Sequence, residues 1–73
     1  MTRKAYIWVK DFGSQEQLGQ LAHDINDQTL FHAVVIGEDV LIEIKLHEIA
    51  HFFDVMQSND TFNWIEFSVQ LAH

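Results

Sequence analysis

Apolar residues recur along this chain first at every second position, then with helical spacing, then at every second position again, and the cycle repeats. That order constrains the fold more than any other feature. Alternation buries one face of a strand, whereas a spacing of about 3.6 residues buries one stripe of a helix. Lys4-Ala5-Tyr6-Ile7-Trp8-Val9-Lys10 alternates strictly and is rich in β-forming residues, which predicts a first strand. Asp11-Phe12-Gly13 ends it. Ser14 followed by Gln17 spells a capping box. Leu18, Leu21, Ala22 and Ile25 then keep helical spacing, with Glu16, Gln20, His23 and Asp24 on the far side. Asn26 and Asp27 are expected to close this helix.

Leu30 to Ile36 predicts a second strand and Val40 to Lys45 a third, joined through Gly37-Glu38-Asp39 as a hairpin. A second helix is expected from Leu46 to Gln57, a turn at Ser58-Asn59-Asp60-Thr61, and a fourth strand from Phe62 to Leu71. The order βαββαβ predicts an α+β, ferredoxin-like sandwich: a four-stranded antiparallel sheet with both helices on one face and the first strand paired with the third and fourth. Ala5, Ile7 and Val9, Val40, Ile42 and Ile44, and Ile65, Phe67, Val69 and Leu71 have the parity to face the helices. With 73 residues, a single domain over 1–73 with a thin core is expected. The absence of cysteine excludes disulfides and thiolate metal sites. The apolar runs are too short to cross a bilayer, and alternating residues follow the N-terminus directly. We therefore expect a cytoplasmic protein without membrane contact.

Residues His47-Glu48-Ile49-Ala50-His51 spell the H-E-x-x-H string of zinc peptidases, two imidazoles one helical turn apart with a carboxylate to serve as general base. The rest of the helix argues against a peptidase. Leu46, Ile49, Ala50, Phe53 and Met56 form one apolar arc that must pack on the sheet, so His47, His51 and Asp54 point to solvent. A chain of this length has no second lobe to enclose a metal in a cleft. We expect no enzyme, no catalytic residue and no cofactor. His47, His51 and Asp54 are candidates only for adventitious metal, and a hydrolase using His47, Glu48 and His51 is the outside alternative.

Charge points to a different role. Four basic residues stand against eleven acidic ones, a net charge of −7, which opposes direct binding of nucleic acid. Glu16, Asp24 and Asp27 fall on the first predicted helix and Glu48 and Asp54 on the second, so the helical face is expected to be negative and to suit a protein partner with a basic surface. The strand residues of opposite parity offer a second surface. Tyr6, Trp8 and Trp64 are expected to be neighbours on the open face of the sheet, with Glu43 and Glu66 among them. Exposed aromatics of this kind mark binding hot spots, for another protein or for a homodimer. In size and charge the chain resembles small acidic inhibitors of nucleic-acid enzymes, such as phage anti-restriction and anti-CRISPR proteins, which implies an inhibitor or adaptor acting as a nucleic-acid mimic. The βαββαβ order and the Lys10-Asp11-Phe12-Gly13 turn also resemble ligand-binding ACT regulatory domains, although the hairpin is shorter. That resemblance implies, as the alternative, a homodimeric regulatory domain for a small ligand.

Overall fold

The computed structural model describes residues 3–71, in the order β1 (Lys4–Val9), α1 (Gln15–Gln28), β2 (Ala33–Ile36), β3 (Asp39–Lys45), a 3₁₀ turn (Leu46–Glu48), α2 (Ile49–Gln57) and β4 (Ser68–Leu71). The strands form one antiparallel sheet in the order β2-β3-β1-β4. As expected, β1 is central: Ile7 lies opposite Ile42 on one side and Val69 on the other. The result is a small α+β fold with a four-stranded antiparallel sheet and two helices. No helix among the described residues is long and apolar enough to cross a membrane.

Helix α1 begins where the sequence places it. The Ser14 hydroxyl accepts from the Gln17 backbone N–H at 3.3 Å, and the Gln17 carboxamide accepts from the Ser14 N–H at 2.8 Å. The two bonds satisfy otherwise orphaned donors reciprocally. The Gln17 amide lies over Gly13, in the space a side chain there would fill. Leu18, Leu21, Ala22 and Ile25 are all buried, as their spacing requires. The helix continues past Asn26 and Asp27 to Gln28, because neither residue ends it. The Thr29 hydroxyl does so, donating to the Ile25 carbonyl at 2.6 Å and accepting from the Phe31 N–H at 3.1 Å. That local turn takes residues 29–32 out of the second strand, which starts at Ala33 rather than Leu30. Asn26 serves the strand instead. Its carboxamide donates to the Ala33 carbonyl at 2.9 Å and accepts from the Ala33 N–H at 2.8 Å. The β2–β3 hairpin closes through Gly37, whose φ of +61° is easily reached only without a side chain. The Gln15 amide pins that tip by donating to the Gly37 carbonyl at 2.8 Å.

The core joins Ala5, Ile7 and Val9 of β1 and Val40, Ile42 and Ile44 of β3 to the buried stripe of α1 and to Phe52 and Met56 of α2. No polar or charged residue is fully buried among the described residues, so the core is held by apolar burial and packing alone. Two elements differ from the sequence expectation. The second helix opens with a 3₁₀ turn, and its fully buried residues are Phe52 and Met56, while Ala50 is exposed. A 3₁₀ turn advances each residue by about 120° and an α-helix by about 100°. Three such residues displace Leu46 by roughly 60° from the arc that a continuous α-helix would give it. The fourth strand starts at Ser68, not Phe62. The Asn59 side chain accepts from the Thr61 N–H, and the Asn59 carbonyl accepts from both Phe62 and Asn63. The alternating residues that follow the turn cluster are thereby coiled, with Phe62 fully buried. Val69 and Leu71 have helix-side parity but are 42% and 53% exposed.

Candidate protein-docking surfaces

The face of the sheet opposite the core carries side chains of the complementary parity. Register places Val34 beside Leu41, Leu41 beside Trp8 and Trp8 beside Ser68, a single row across all four strands. The next row sets Tyr6 between Glu43 and Gln70. Tyr6, Trp8 and Leu41 are half-buried by their neighbours, while Val34 and Ile36 are exposed. The Trp8 indole N–H donates to the Gln70 side-chain oxygen at 3.2 Å, which fixes the ring's tilt. Lys4 pairs with Glu43 at 2.8 Å, and this hydrogen bond, with the carboxylate's charge, raises the Lys4 pKa above its ordinary value and keeps the ammonium charged.

Trp64 does not join this face. It lies in the turn over residues 60–64, where Asn59 accepts from the backbone of residues 61–63, and Glu66 is exposed in the segment 65–67, which has no regular secondary structure before Ser68. The expected cluster of Tyr6, Trp8 and Trp64 is therefore a pair, Tyr6 and Trp8, with Trp64 elsewhere. Trp64 is 67% exposed and stacks on Phe12, the ring centroids 5.6 Å apart and the planes 29° from parallel. The two rings border a cleft of about 160 Å³ that is also lined by Gln17, Gln20, Leu21, Asp24, Thr61 and Ile65. Nothing in the periodicity of the sequence gathers these residues. The available signal is the Asn59-Asp60-Thr61 triplet, whose short polar side chains compete for backbone groups and end extended structure.

Five acidic residues lie on the two helices and the 3₁₀ turn. Glu16, Asp27 and Asp54 are exposed, and Asp24 and Glu48 are half-buried. The Asp24 carboxylate accepts from the Gln20 amide at 2.8 Å one helical turn earlier. Residues 14–29 and 46–57 carry these five carboxylates and neither lysine nor arginine. Arg3, Lys4, Lys10 and Lys45 all lie on or beside strands β1 and β3.

The H-E-x-x-H string is divided between two kinds of helix. His47 and Glu48 lie in the 3₁₀ turn and His51 in α2. Both imidazoles are exposed, and the His51 ring sits 5.9 Å from Phe31 in a tilted arrangement. The Glu48 carboxylate accepts from the Lys45 backbone N–H at 3.1 Å, so it caps the turn that begins the helix. Among the described residues, no three His, Asp or Glu side chains converge in a way that could hold a metal ion. His47, His51 and Asp54 are thus neighbours in sequence without forming a three-ligand set.

A second, broader depression of about 380 Å³ lies at the start of α1, between Asp11, Gly13, Ser14, Gln15 and Glu38. Its carboxylates face no apolar wall, and the apolar cleft by Trp64 is smaller than the roughly 300–1,000 Å³ of ordinary small-molecule sites. In comparisons with family models, curated proteins and solved structures, nothing matches this chain.

Proposed function

We propose that this chain is a non-enzymatic, cytoplasmic protein-binding module of ferredoxin-like βαββαβ type, an inhibitor or adaptor whose acidic helical layer docks on a basic, nucleic-acid-handling protein. The observation that carries this reading is the segregation of charge. The helices and the 3₁₀ turn carry five carboxylates and no lysine or arginine, while Arg3, Lys4, Lys10 and Lys45 lie on or beside strands β1 and β3. A surface of one sign draws an oppositely charged partner from a distance and orients it on arrival. The strand order β2-β3-β1-β4, read with the order of elements along the chain, supports the ferredoxin-like assignment.

Capture from a lysate of the source cells at about 50 mM salt should retain a basic protein, released as salt rises toward about 1 M and the screening length falls to about 3 Å. A triple variant, Glu16→Gln with Asp27→Asn and Asp54→Asn, should capture little of it. Equal capture by that variant, or no basic protein at low salt, contradicts the reading.

Self-association through the open sheet face is a second reading, favoured by the uncovered row of Val34, Leu41 and Trp8. Such a dimer joins the less acidic sides and keeps the two negative layers apart. Sedimentation at rising protein concentration should show dimer for the native chain and monomer for Trp8→Ala, whereas identical masses at every concentration would remove this face as the interface.

A further inference from the structure

We propose that the cleft between α1 and the 60–64 turn receives an arginine side chain of the basic partner, stacked on Trp64 and paired with Asp24. This rests on the reading of the acidic layer as a docking surface, and it names the point within that layer where a single partner residue is anchored.

The chemistry of the lining selects the occupant. Trp64 leaves two-thirds of its surface open even though its ring is held against Phe12. A supported, exposed indole face is the best aromatic platform for a cation. Leu21 and Ile65 line the same cleft and suit an aliphatic stem. Asp24 stands at the same cleft, with one oxygen engaged by Gln20. A carboxylate has about four acceptor sites, so capacity remains for a guanidinium. The cleft, at about 160 Å³, has room for one long side chain and falls short of a drug-sized ligand. A neutral or apolar occupant would leave the Asp24 charge desolvated without a partner, and an anion would meet a carboxylate. Arginine suits the site better than lysine because its planar group stacks on indole and donates to a carboxylate at the same time.

The test uses Nα-acetyl-arginine amide and an arginine-rich peptide as probes, on the 73-residue chain carrying Trp8→Phe so that Trp64 is its single indole. The arginine amide should change Trp64 fluorescence saturably in the millimolar range. The citrulline and norleucine amides, of similar length but uncharged, should not. Asp24→Asn, which keeps the shape of the side chain, should weaken binding of the arginine amide roughly tenfold, the loss expected for one charge-assisted pair. Binding of the peptide, followed by calorimetry, should weaken similarly in Asp24→Asn and in Trp64→Ala, with circular dichroism confirming that each variant is folded. If the peptide binds all three proteins equally, the cleft is not the anchor, although the acidic-layer reading stands. If the peptide binds none of them at low salt, both fail. If norleucine amide binds as well as arginine amide, the occupant is apolar and the proposal is overturned.

Discussion

Replacing Phe52 with alanine should cost about 3–5 kcal/mol, enough to leave so small a domain near its unfolding midpoint at room temperature. Phe52 is fully buried, and its ring meets three others edge to face: Phe31 at 5.0 Å, Phe67 at 5.1 Å and Phe53 at 5.4 Å. Those partners come from the loop after α1, the segment before β4 and α2 itself. One ring therefore ties together three parts of the chain, two of which have no regular secondary structure to hold them. Truncation removes the transfer energy of the ring, leaves a cavity, and forfeits edge-to-face contacts of roughly 0.5–1.5 kcal/mol each. Neither loop can collapse into the void without abandoning its own turn. Urea denaturation followed by circular dichroism measures the loss, and Phe53→Ala provides the control. Phe53 is half-buried, so its truncation should cost less than half as much. A Phe52→Ala loss below about 1 kcal/mol would mean that the aromatic cluster is not what holds the irregular segments on the core.

The second large effect is expected at Asn26. The two-residue turn makes Ile36 and Asp39 a hydrogen-bonded pair, and antiparallel pairing alternates, so Ala33 and Val35 direct their backbone groups to the outer edge of β2. Asn26 satisfies both groups of Ala33 with one planar amide. It acts as a one-residue extension of the sheet supplied by a helix. Asn26→Ala should destabilise the fold by about 2 kcal/mol, near 1 kcal/mol for each bond lost. It should also accelerate hydrogen exchange at the Ala33 amide far more than at amides inside β1. The bared edge invites pairing with another chain, so light scattering should reveal concentration-dependent association into species larger than those of the native protein at the same concentration. Unchanged exchange at Ala33 would show that water replaces the side chain at no cost.

The legible parts of this chain were those where a single local signal decides structure. Strict alternation in residues 4–10, the Ser14/Gln17 box with its helical stripe, and Gly37 between two apolar runs each found their element with little error. The illegible part was residues 58–67. Its apolar residues alternate as a strand would, but Asn59 offers the backbone a nearer set of acceptors, and local bonds to Thr61, Phe62 and Asn63 prevail over pairing with β1. That one competition carried Trp64 from the sheet to the edge of α1, so the aromatic cleft was invisible while the Tyr6–Trp8 surface was not. The H-E-x-x-H string likewise specifies residue types but not the backbone bond of Glu48, whose carboxylate accepts from the Lys45 N–H at the start of the 3₁₀ turn.

The start of α1 has a consequence for how this sequence can vary. The amide of Gln17 occupies the place of the side chain that Gly13 lacks. Any larger residue at 13 evicts that amide and, with it, the bond to the Ser14 N–H. Once Gln17 has been replaced by something shorter, the same change at 13 displaces nothing. The order of substitution therefore matters: a path through position 17 first meets one penalty, and a path through position 13 first meets the same loss with a displaced polar group besides. The two residues are inherited most easily as a pair, although they touch only through empty space left by one of them.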